Sequence, residues 1–427
     1  MEVKALQELI DHERILGLAE VMDYPGIVYW GPVALENIRM ARSKNIDGHS
    51  PRLSGRDLQA YLAARIRLDH ECSSLQEARE KLRLGMSAMI REGSAAKNLQ
   101  DLLYLVTPLS SRQFMFISDD RHPLDILDEE HINFMIKVAV QSGMDPILAL
   151  QITSLNAARY FGLKDHGAIA PGFKTDTIVL DDRDNLWVKT VFKDGRLMAE
   201  DGRILVPLPS PIIPKGSAMK MRDLSLERLE IPAVPELDFI GVIGLIPNQI
   251  VIKPLLLTAK TSEGRAVADI SRNLLVMAMI EMHRTTGIMG LGFVQGFGLK
   301  SDALATSVAH DAHNIAVVGI SPRDLLCAAQ AVICMGGWLA MVKDEKVKAS
   351  LPLPIAGLLS DKYIREREEG IDHLNYNARQ IGCPLRNPFM TLSFHCLSVI
   401  PEPKLTDKGM VDVNKFDVVP VAARNLA

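Results

Sequence analysis

The sequence predicts an α/β fold class: an incomplete barrel of about five βα units, then a small β-sandwich segment and a C-terminal α+β domain. Two observations predict the barrel units. Short apolar runs alternate with amphipathic stretches over residues 15–163, which is typical of βαβ units in a parallel sheet. Polar residues close the apolar runs, at the end where such a barrel carries its active site. A closed TIM-type (β/α)8 barrel needs eight units.

The five predicted units follow one another along the chain. Their apolar runs are ILGLAEVM (15–22), KNIDGH (44–49), RIRLDHE (65–71), MSAMIREGS (86–94) and QFMFISDD (113–120). The helical patterns include GPVALENIRMARS, SGRDLQAYLAA and SLQEAREKLRLG, and two more, LDEEHINFMIKVAVQSG and DPILALQITSLNAARYFGL, follow the last run. Residues 1–165 are therefore predicted to form the partial barrel.

Beyond the barrel the pattern changes. Residues 166–205 contain TDTIVLDD, WVKTVFKDG and RLMAEDG, whose alternation and Asp-Gly turns predict the β-hairpins of a β-sandwich segment. VPLPSPIIPKG (206–216) is rich in proline and predicts a linker. Residues 217–427 mix candidate strands such as LLVMAMIEMH with helical patterns such as SPRDLLCAAQAVICMG, and so predict an α+β domain.

Composition argues against several function classes. The formal net charge is −4, and no basic stretch is interleaved with aromatic residues, so we expect no nucleic-acid partner. The five cysteines include no Cys-x-x-Cys pair, which favours a reduced, cytoplasmic protein.

The apolar stretch Leu325–Val342 has borderline length for a membrane span, but Gln330 and Gly336-Gly337 interrupt it. It predicts a buried helix, a glycine stop and a buried strand, and we expect a small-molecule substrate.

Four polar residues at successive strand ends are candidate metal ligands: Glu20, His49, His70 and Asp119. Imidazoles and carboxylates suit a divalent cation, and a carboxylate can bridge two. Such a cation lowers the pKa of a bound water and supplies a nucleophile near neutral pH. Each residue alone is also explained as a solvated strand end, a turn residue or a helix cap. Their joint occurrence favours a metal site.

Many segments resemble adenine deaminase of the metal-dependent amidohydrolase superfamily. In the first part these are GLAEVMDYPGIV, NIDGHSPRLSGRDLQAYLAARIRLDHE, KLRLGMSAMIREGSAAKNL and SDDRHPLDIL. In the last part they are GLGFVQGFGLKSDALATSVAHDAHNIAVVG, LPLPIAGLLSD and NPFMTLSFHCLSVIPEPKLTDKGMVDV. The resemblance covers essentially the whole chain. It implies hydrolytic deamination of adenine to hypoxanthine and ammonia by a metal-bridged hydroxide, in purine salvage or catabolism.

The resemblance also implies a role for each candidate. Glu20 would be the carboxylate between two metals, and His49 and His70 would bind the second metal. Asp119 would bind the first metal and accept the proton of the attacking water. Glu71 is our candidate for a second proton shuttle. The resemblance implies a binuclear centre of Mn²⁺ or Fe²⁺, and the ligand types also fit Zn²⁺.

Six further residues are weaker candidates for substrate contact or for support of the ligands: Arg91, Glu92, Ser94, His122, His310 and His313. On a helix, His310 and His313 would share a face and could bind a metal. Local capping and hydrogen bonding at a domain interface are the alternative. The glycines of GIMGLGFVQGFGLK do not match a phosphate-binding loop and indicate tight turns and close strand packing.

The chain departs from the family at one motif. The family opens its barrel with His-x-His, a pattern that occurs nowhere in this sequence, and only His12 precedes Glu20. The first metal would then lose two imidazole ligands, and the first three strands would be absent, which would impair activity. An exposed sheet edge would also make the chain poorly stable alone. We therefore expect a homo-oligomer, or a second polypeptide that supplies the strands.

Two alternative functions stay open at this point. The chain could be an inactive remnant or a partner subunit of a complete homologue, which metal analysis would reveal. It could also be another amidohydrolase, acting on a cyclic amide or amidine, which a substrate panel with ammonia release as its readout would separate.

Overall fold

The computed structural model describes residues 3–182, 185–209, 219–233, 239–246, 249, 251–400, 403–412 and 417–423. The chain divides into two compact units, Met1–Pro209 and Ser210–Ala427. The division falls within the predicted linker 206–216, of which residues 210–216 lie outside the described residues.

A five-stranded parallel sheet organises the first unit, with its strands side by side in chain order. These are β1 (Gly17–Val21), β2 (Asn45–Gly48), β3 (Leu68–Asp69), β4 (Ser87–Arg91) and β5 (Phe114–Ile117). Gly48 pairs with Asp69, and Asp69 pairs with Ala88, so the ends of neighbouring strands come out together at one edge of the sheet. The predicted α/β class with a parallel sheet is confirmed.

Helices connect and follow these strands, and α3, α4, α5, α8, α9 and α10 lie where the amphipathic patterns predict helices. They are α1 (Val3–Ile10), α2 (Tyr24–Val28), α3 (Pro32–Met40), α4 (Gly55–Ala63), α5 (Leu75–Arg83), α6 (Leu99–Leu102), α7 (Pro123–Glu129), α8 (Ile132–Gln141), α9 (Pro146–Thr153) and α10 (Leu155–Tyr160). The Ser74 and Asp145 side chains accept backbone N–H groups at the starts of α5 and α9, which satisfies otherwise unpaired donors.

Two apolar clusters hold this unit together. The first packs α4 against β2 through buried residues that include Ile46, Leu58 and Tyr61. The second packs β4 and β5 against α8 through residues that include Ile90, Phe114 and Met135. Each fully buried aliphatic or aromatic side chain contributes about 1.5–3 kcal/mol relative to an exposed one. The strand ends that carry the polar residues are therefore fixed by packing beneath them.

Residues 166–205 contribute a four-stranded antiparallel sheet in chain order, β6 (Thr177–Leu180), β7 (Val188–Lys193), β8 (Arg196–Glu200) and β9 (Arg203–Ile204). The turns at Asp194-Gly195 and Asp201-Gly202 have positive φ at both residues, as a two-residue hairpin turn requires. The predicted hairpins are confirmed.

The second unit is built on a mainly antiparallel sheet in the order β12-β11-β16-β15-β18-β17-β19-β20, with β24 also paired to β11. Its strands, in chain order with those of two small sheets, are β10 (Ile231–Pro232), β11 (Phe239–Leu245), β12 (Ile252–Thr258), β13 (Lys260–Ser262), β14 (Arg265–Val267), β15 (Leu274–Ile280), β16 (Met289–Gln295), β17 (Ala303–Thr306), β18 (Ile315–Gly319), β19 (Trp338–Lys343), β20 (Lys346–Pro352), β21 (Lys404–Thr406), β22 (Gly409–Asp412), β23 (Asp417–Val419) and β24 (Ala422–Ala423). The helices are α11 (Pro322–Cys334), α12 (Ile364–Gln380) and α13 (Pro388–Phe394).

Two local predictions for this unit are confirmed. The stretch Leu325–Val342 forms most of α11, a stop at Gly336-Gly337 and then β19. Gly290 marks a close approach of two strands, because an added Cβ would lie 2.0 Å from the carbonyl oxygen of Thr406. None of the helices in the described part of the chain is long and apolar enough to span a bilayer.

Candidate metal centre

Glu20, His49 and His70 bring three potential ligand atoms together. His70 Nε2 lies 2.8 Å from Glu20 Oε2, and His49 Nδ1 lies 3.4 Å from the same oxygen. The two ring nitrogens are also 3.4 Å apart. These three atoms form a compact triangle that could hold a metal ion.

The dimensions of this triangle fit a divalent cation. Ligand atoms at about 2.0–2.1 Å from a tetrahedral ion lie about 3.4 Å from one another, close to two of the observed edges. Imidazole nitrogen and carboxylate oxygen are the donors expected for such an ion. His49 Nε2 is buried and has no hydrogen-bond partner among the described residues, which is uncommon for a ring nitrogen and often accompanies a functional site.

The sheet supplies the three side chains from adjacent strands. His49 directly follows β2 and His70 directly follows β3. Glu20 lies within β1, where the pairing with β2 is irregular between Leu18 and Val21. Such an irregularity redirects a side chain, and here the Glu20 carboxylate meets the two imidazoles.

Electrostatics at the triangle favour a cation. Burial alone would raise the pKa of Glu20, but hydrogen bonds with His49 and His70 hold it well below its usual range. Burial alone would lower the pKa of His70, but the Glu20 and Glu71 carboxylates raise it to about 9. The carboxylates therefore favour positive charge at this point. That charge is either a proton on the His70 imidazole or a metal ion.

Glu71 and Asp119 lie beside the triangle and share one guanidinium. Arg91 Nη1 lies 2.5 Å from Glu71 Oε1 and 2.5 Å from Asp119 Oδ2, and Arg91 Nη2 donates to Glu71 Oε2 at 3.1 Å. His70 Nε2 is 3.5 Å from Glu71 Oε1. His70, Glu71 and Asp119 also offer ligand atoms close together, so all four predicted ligands belong to one cluster of side chains around His70.

The weaker candidates of the first unit have local partners. Arg91 contacts the cluster as described, whereas Glu92 accepts the backbone N–H of Leu99 at 3.3 Å. Ser94 Oγ accepts the N–H of His122 at 2.6 Å and donates to the Asp125 carboxylate. These bonds tie the loop after β4 to the start of α7. They favour a role in loop structure for Glu92, Ser94 and His122.

His310 and His313, the two candidates of the second unit, lie in a turn between β17 and β18. The prediction that they share the face of a helix is therefore wrong. The His310 ring stacks on Phe394 with a centroid distance of 4.5 Å, and its Nδ1 contacts Ser393 Oγ. The His310 and His313 rings are 6.0 Å apart. The Asp-Ala pair between them turns the chain instead of continuing a helix.

Sequence reasoning missed two residues that support the cluster. Asp69 ends β3 and is fully buried, and Lys81 on α5 is 1% exposed with its Nζ 2.8 Å from Asp69 Oδ2. Burial alone would raise the pKa of Asp69, but the Lys81 ammonium and further hydrogen bonds hold it well below its usual range. The only available signal was the Glu77-to-Lys81 spacing of four residues, which usually marks an exposed helical pair.

Two family models match the chain. The amidohydrolase family matches residues 31–198, and the adenine deaminase C-terminal domain matches residues 249–417. The first match includes His49, His70 and Asp119. The second lies wholly within the second unit.

Curated relatives match nearly the whole chain. The adenine deaminase of Desulfatibacillum aliphaticivorans is 45% identical over 98% of this chain and 74% of its own length. Adenine deaminase 2 of Carboxydothermus hydrogenoformans is 43% identical over 99% of this chain and 74% of its own length. Among solved structures, a β-aspartyl dipeptidase from Fervidobacterium islandicum AW-1 covers 48% of this chain and 62% of its own, at 16% identity and a TM-score of 0.37.

Proposed function

Because the chain belongs to the adenine deaminase family of amidohydrolases, we propose that it catalyses the hydrolytic deamination of adenine to hypoxanthine and ammonia. It is an enzyme of the adenine deaminase type. The main support for this proposal is that Glu20, His49 and His70 place their ligand atoms close together in one triangle. Another amidohydrolase activity is disfavoured by the match to the adenine deaminase C-terminal domain over residues 249–417.

Glu20, His49 and His70 are the proposed ligands of a divalent cation. Their nitrogen and oxygen donors suit Mn²⁺, Fe²⁺ or Zn²⁺, and we favour Mn²⁺ or Fe²⁺ on the resemblance of the sequence to its family. Asp119 is the proposed ligand of the first metal of a binuclear centre, the one that His49 and His70 do not bind. The Arg91 cation beside Asp119 repels a divalent ion, so this position is the weaker of the two.

The chemistry divides between the cation and the side chains beside it. When bound, the cation supplies the Lewis acidity that makes a water nucleophilic near neutral pH. Asp119 accepts the proton that this water loses as its oxygen bonds to C6 of adenine. Glu71 takes the second proton of this water from the new C6 hydroxyl and passes it to the exocyclic amino group, so that the C6–N bond breaks and ammonia leaves. The proton on Asp119 goes to N1 of the purine ring, which completes hypoxanthine and restores both carboxylates. Arg91 contacts both carboxylates and holds them in place.

The test is a deamination assay on the purified protein loaded with Mn²⁺. Adenine should disappear with stoichiometric formation of hypoxanthine and ammonia, followed by chromatography and an ammonia assay. A panel with guanine, cytosine and dihydroorotate tests the alternative amidohydrolases. Turnover of one of these with adenine untouched would overturn the proposal.

We also propose a cellular compartment and a mode of association for the protein. A reducing compartment such as the cytoplasm suits the five cysteines, which are all free in the structure, and purine catabolism suits the reaction. Association through the sheet edge is also proposed, because β1 is an outer strand of the parallel sheet with Ala19 and Glu20 exposed. Outer strands readily pair with further β-structure, from another copy of the chain or from a second polypeptide.

A further inference from the structure

Lys81 and Asp69 form a buried ion pair directly behind the proposed ligands. Their side chains are 1% and 0% exposed, and Lys81 Nζ lies 2.8 Å from Asp69 Oδ2. Asp69 is the last residue of β3, and Lys81 lies on α5. The pair therefore joins the strand that ends at His70 to the helix that follows it.

The Asp69 carboxylate ties two ligand-bearing loops together. Its Oδ1 accepts the backbone N–H of Ser50 at 2.7 Å and the Ser50 hydroxyl at 3.0 Å. Its Oδ2 accepts the backbone N–H of Glu71 at 3.1 Å. Ser50 follows His49 and Glu71 follows His70, so one carboxylate fixes the backbone beside both imidazoles.

The Lys81 ammonium holds the same loop from its other side. Nζ donates to the carbonyl oxygen of Ser50 at 2.7 Å, to Asp69 Oδ2 at 2.8 Å and to Glu77 Oε1 at 2.8 Å. An ammonium group has three N–H donors, and all three are used. Ser50 is therefore fixed by two hydrogen bonds of its backbone, because its N–H donates to Asp69 and its carbonyl oxygen accepts from Lys81.

This cluster is a support and not a second metal site. Asp69, Cys72 and Glu77 do offer ligand atoms near one another. However, Lys81 Nζ lies 2.8 Å from a carboxylate oxygen of both Asp69 and Glu77. The chain's own cation already occupies the position that a metal ion would take.

We propose that Lys81 and Asp69 are positioning residues that set the spacing of the His49 and His70 imidazoles, an inference that rests on the proposed function. The two ring nitrogens come from separate strands and are 3.4 Å apart. A metal site works only when its ligands are held to within about 0.5 Å. Without Lys81, the Asp69 carboxylate is left buried without its cation, and it loses its hold on Ser50 and Glu71.

The test compares two substitutions in the same network. Lys81→Met removes the ammonium and the grip on Ser50, whereas Glu77→Gln leaves Lys81 and Asp69 paired. Glu77 contacts the backbone of Arg52 and Ser73 and not the neighbours of the ligands. Affinity for Mn²⁺, measured by competition with a chromophoric chelator, should weaken about 10–100-fold in Lys81→Met. In Glu77→Gln it should stay within about threefold of the wild type, although urea unfolding shows a loss of stability.

A double variant covers the case in which Lys81→Met does not fold. Lys81→Met with Asp69→Asn removes the two most deeply buried charges, so the Asp69 side chain is no longer a buried carboxylate without its cation. Glu77 keeps its bonds to the backbone of Arg52 and Ser73, while the Lys81 bond to the Ser50 carbonyl oxygen is still lost. Its Mn²⁺ affinity should also fall at least about tenfold, within the range that loss of such supporting contacts produces.

Three results would overturn the inference. One is Mn²⁺ affinity within about threefold of wild type in every Lys81 variant that folds, and another is an equal loss in Glu77→Gln. The third is a wild-type protein that binds no Mn²⁺, which would also overturn the proposed metal centre. A wild type that binds Mn²⁺ without deaminating adenine would reject the proposed activity alone, and weakened Mn²⁺ binding in Lys81→Met would still support the positioning role.

Discussion

At the scale of single residues, the decisive feature is a carboxylate that meets two imidazoles. Glu20 contacts both His49 and His70 within 3.4 Å. Each of these residues had an ordinary explanation when taken alone in the sequence. Their common position supports the proposed role as metal ligands, because side chains from three separate strands do not converge by local structure.

Glu20→Gln should abolish most Mn²⁺ binding and lower kcat by at least about 10²-fold, because the amide lacks the charge that the ion and the imidazoles require. Metal content by mass spectrometry and the deamination assay check both effects. Glu36→Gln, which removes the charge of an exposed pair with Arg39, is the matched control and should behave as wild type. Full metal occupancy in Glu20→Gln would contradict the ligand assignment.

Arg91→Met tests the guanidinium that lies between the two proposed catalytic carboxylates. We expect kcat to fall about 10–100-fold, as on loss of an orienting partner, and the buried Glu71 carboxylate to lose its countercharge at a cost of about 3–5 kcal/mol. Steady-state kinetics and urea unfolding measure the two effects. Arg39→Met, at an exposed ion pair, serves as the control, and an unchanged kcat in Arg91→Met would refute this role.

At the scale of secondary-structure elements, one hydroxyl links a helix to two strands. Tyr61 on α4 is fully buried. Its hydroxyl donates to the carbonyl oxygen of Val21 at 2.6 Å and accepts the N–H of His49 at 3.1 Å. The helix thus anchors the ends of β1 and β2, next to Glu20 and His49.

Tyr61→Phe should destabilise the protein by about 1–3 kcal/mol, because two buried backbone groups lose their partner. The free energy of urea unfolding measures the loss, and Mn²⁺ affinity should fall in parallel. Tyr104→Phe removes a hydroxyl from a side chain that is 82% exposed and should cost nothing measurable. Equal stability of the two variants would show that the Tyr61 hydroxyl is not an anchor.

The end of α13 makes the protein sensitive to acid. Burial, together with the nearby Lys404 ammonium, lowers the pKa of His395 to about 3 from its ordinary value of 6.5. The folded state therefore keeps this imidazole neutral at a pH where the unfolded chain protonates it. The stability that this histidine contributes is fully present above about pH 6.5 and is lost as the pH falls towards about 3.

His395→Gln should reduce this acid sensitivity. Below about pH 6.5, the wild type should lose roughly 1.4 kcal/mol per pH unit relative to the variant, as measured by urea unfolding at about pH 7 and about pH 5. His373→Gln, at an exposed position on α12, is the control and should keep the wild-type pH dependence. A parallel pH dependence of His395→Gln and wild type would contradict the prediction.

At the scale of the whole molecule, metal binding and folding should be linked. A ligand that binds only the folded state at about 100 times its dissociation constant stabilises the protein by about 2.7 kcal/mol. Mn²⁺ should therefore raise the apparent melting temperature of the wild type, and a chelator should reverse the effect. Glu20→Gln should show no such shift in differential scanning fluorimetry, and an equal shift in both proteins would place the bound ion elsewhere.

The sequence alone determined much of this architecture. Apolar alternation and amphipathic period are local properties, and they located β1 to β5, the longer helices of that unit, the hairpins of 166–205 and the glycine stop after α11. The short helices α2, α6 and α7 were not predicted. The position of polar residues at the ends of strands is local too. Parallel strands end at a shared sheet edge, so Glu20, His49, His70 and Asp119 could be named as one group before their distances were known.

Only the tertiary structure decided which of these side chains touch and what holds them. The 2.8 Å contact of Glu20 with His70 depends on strand register and on an irregular pairing in β1. The burial of Lys81 and the placing of Arg91 between two carboxylates depend on helix packing, which turns apparently exposed charges inward. Such contacts join residues about 10–50 positions apart. Their geometry is set by the summed packing of the sheet and helices and not by any local preference of the chain.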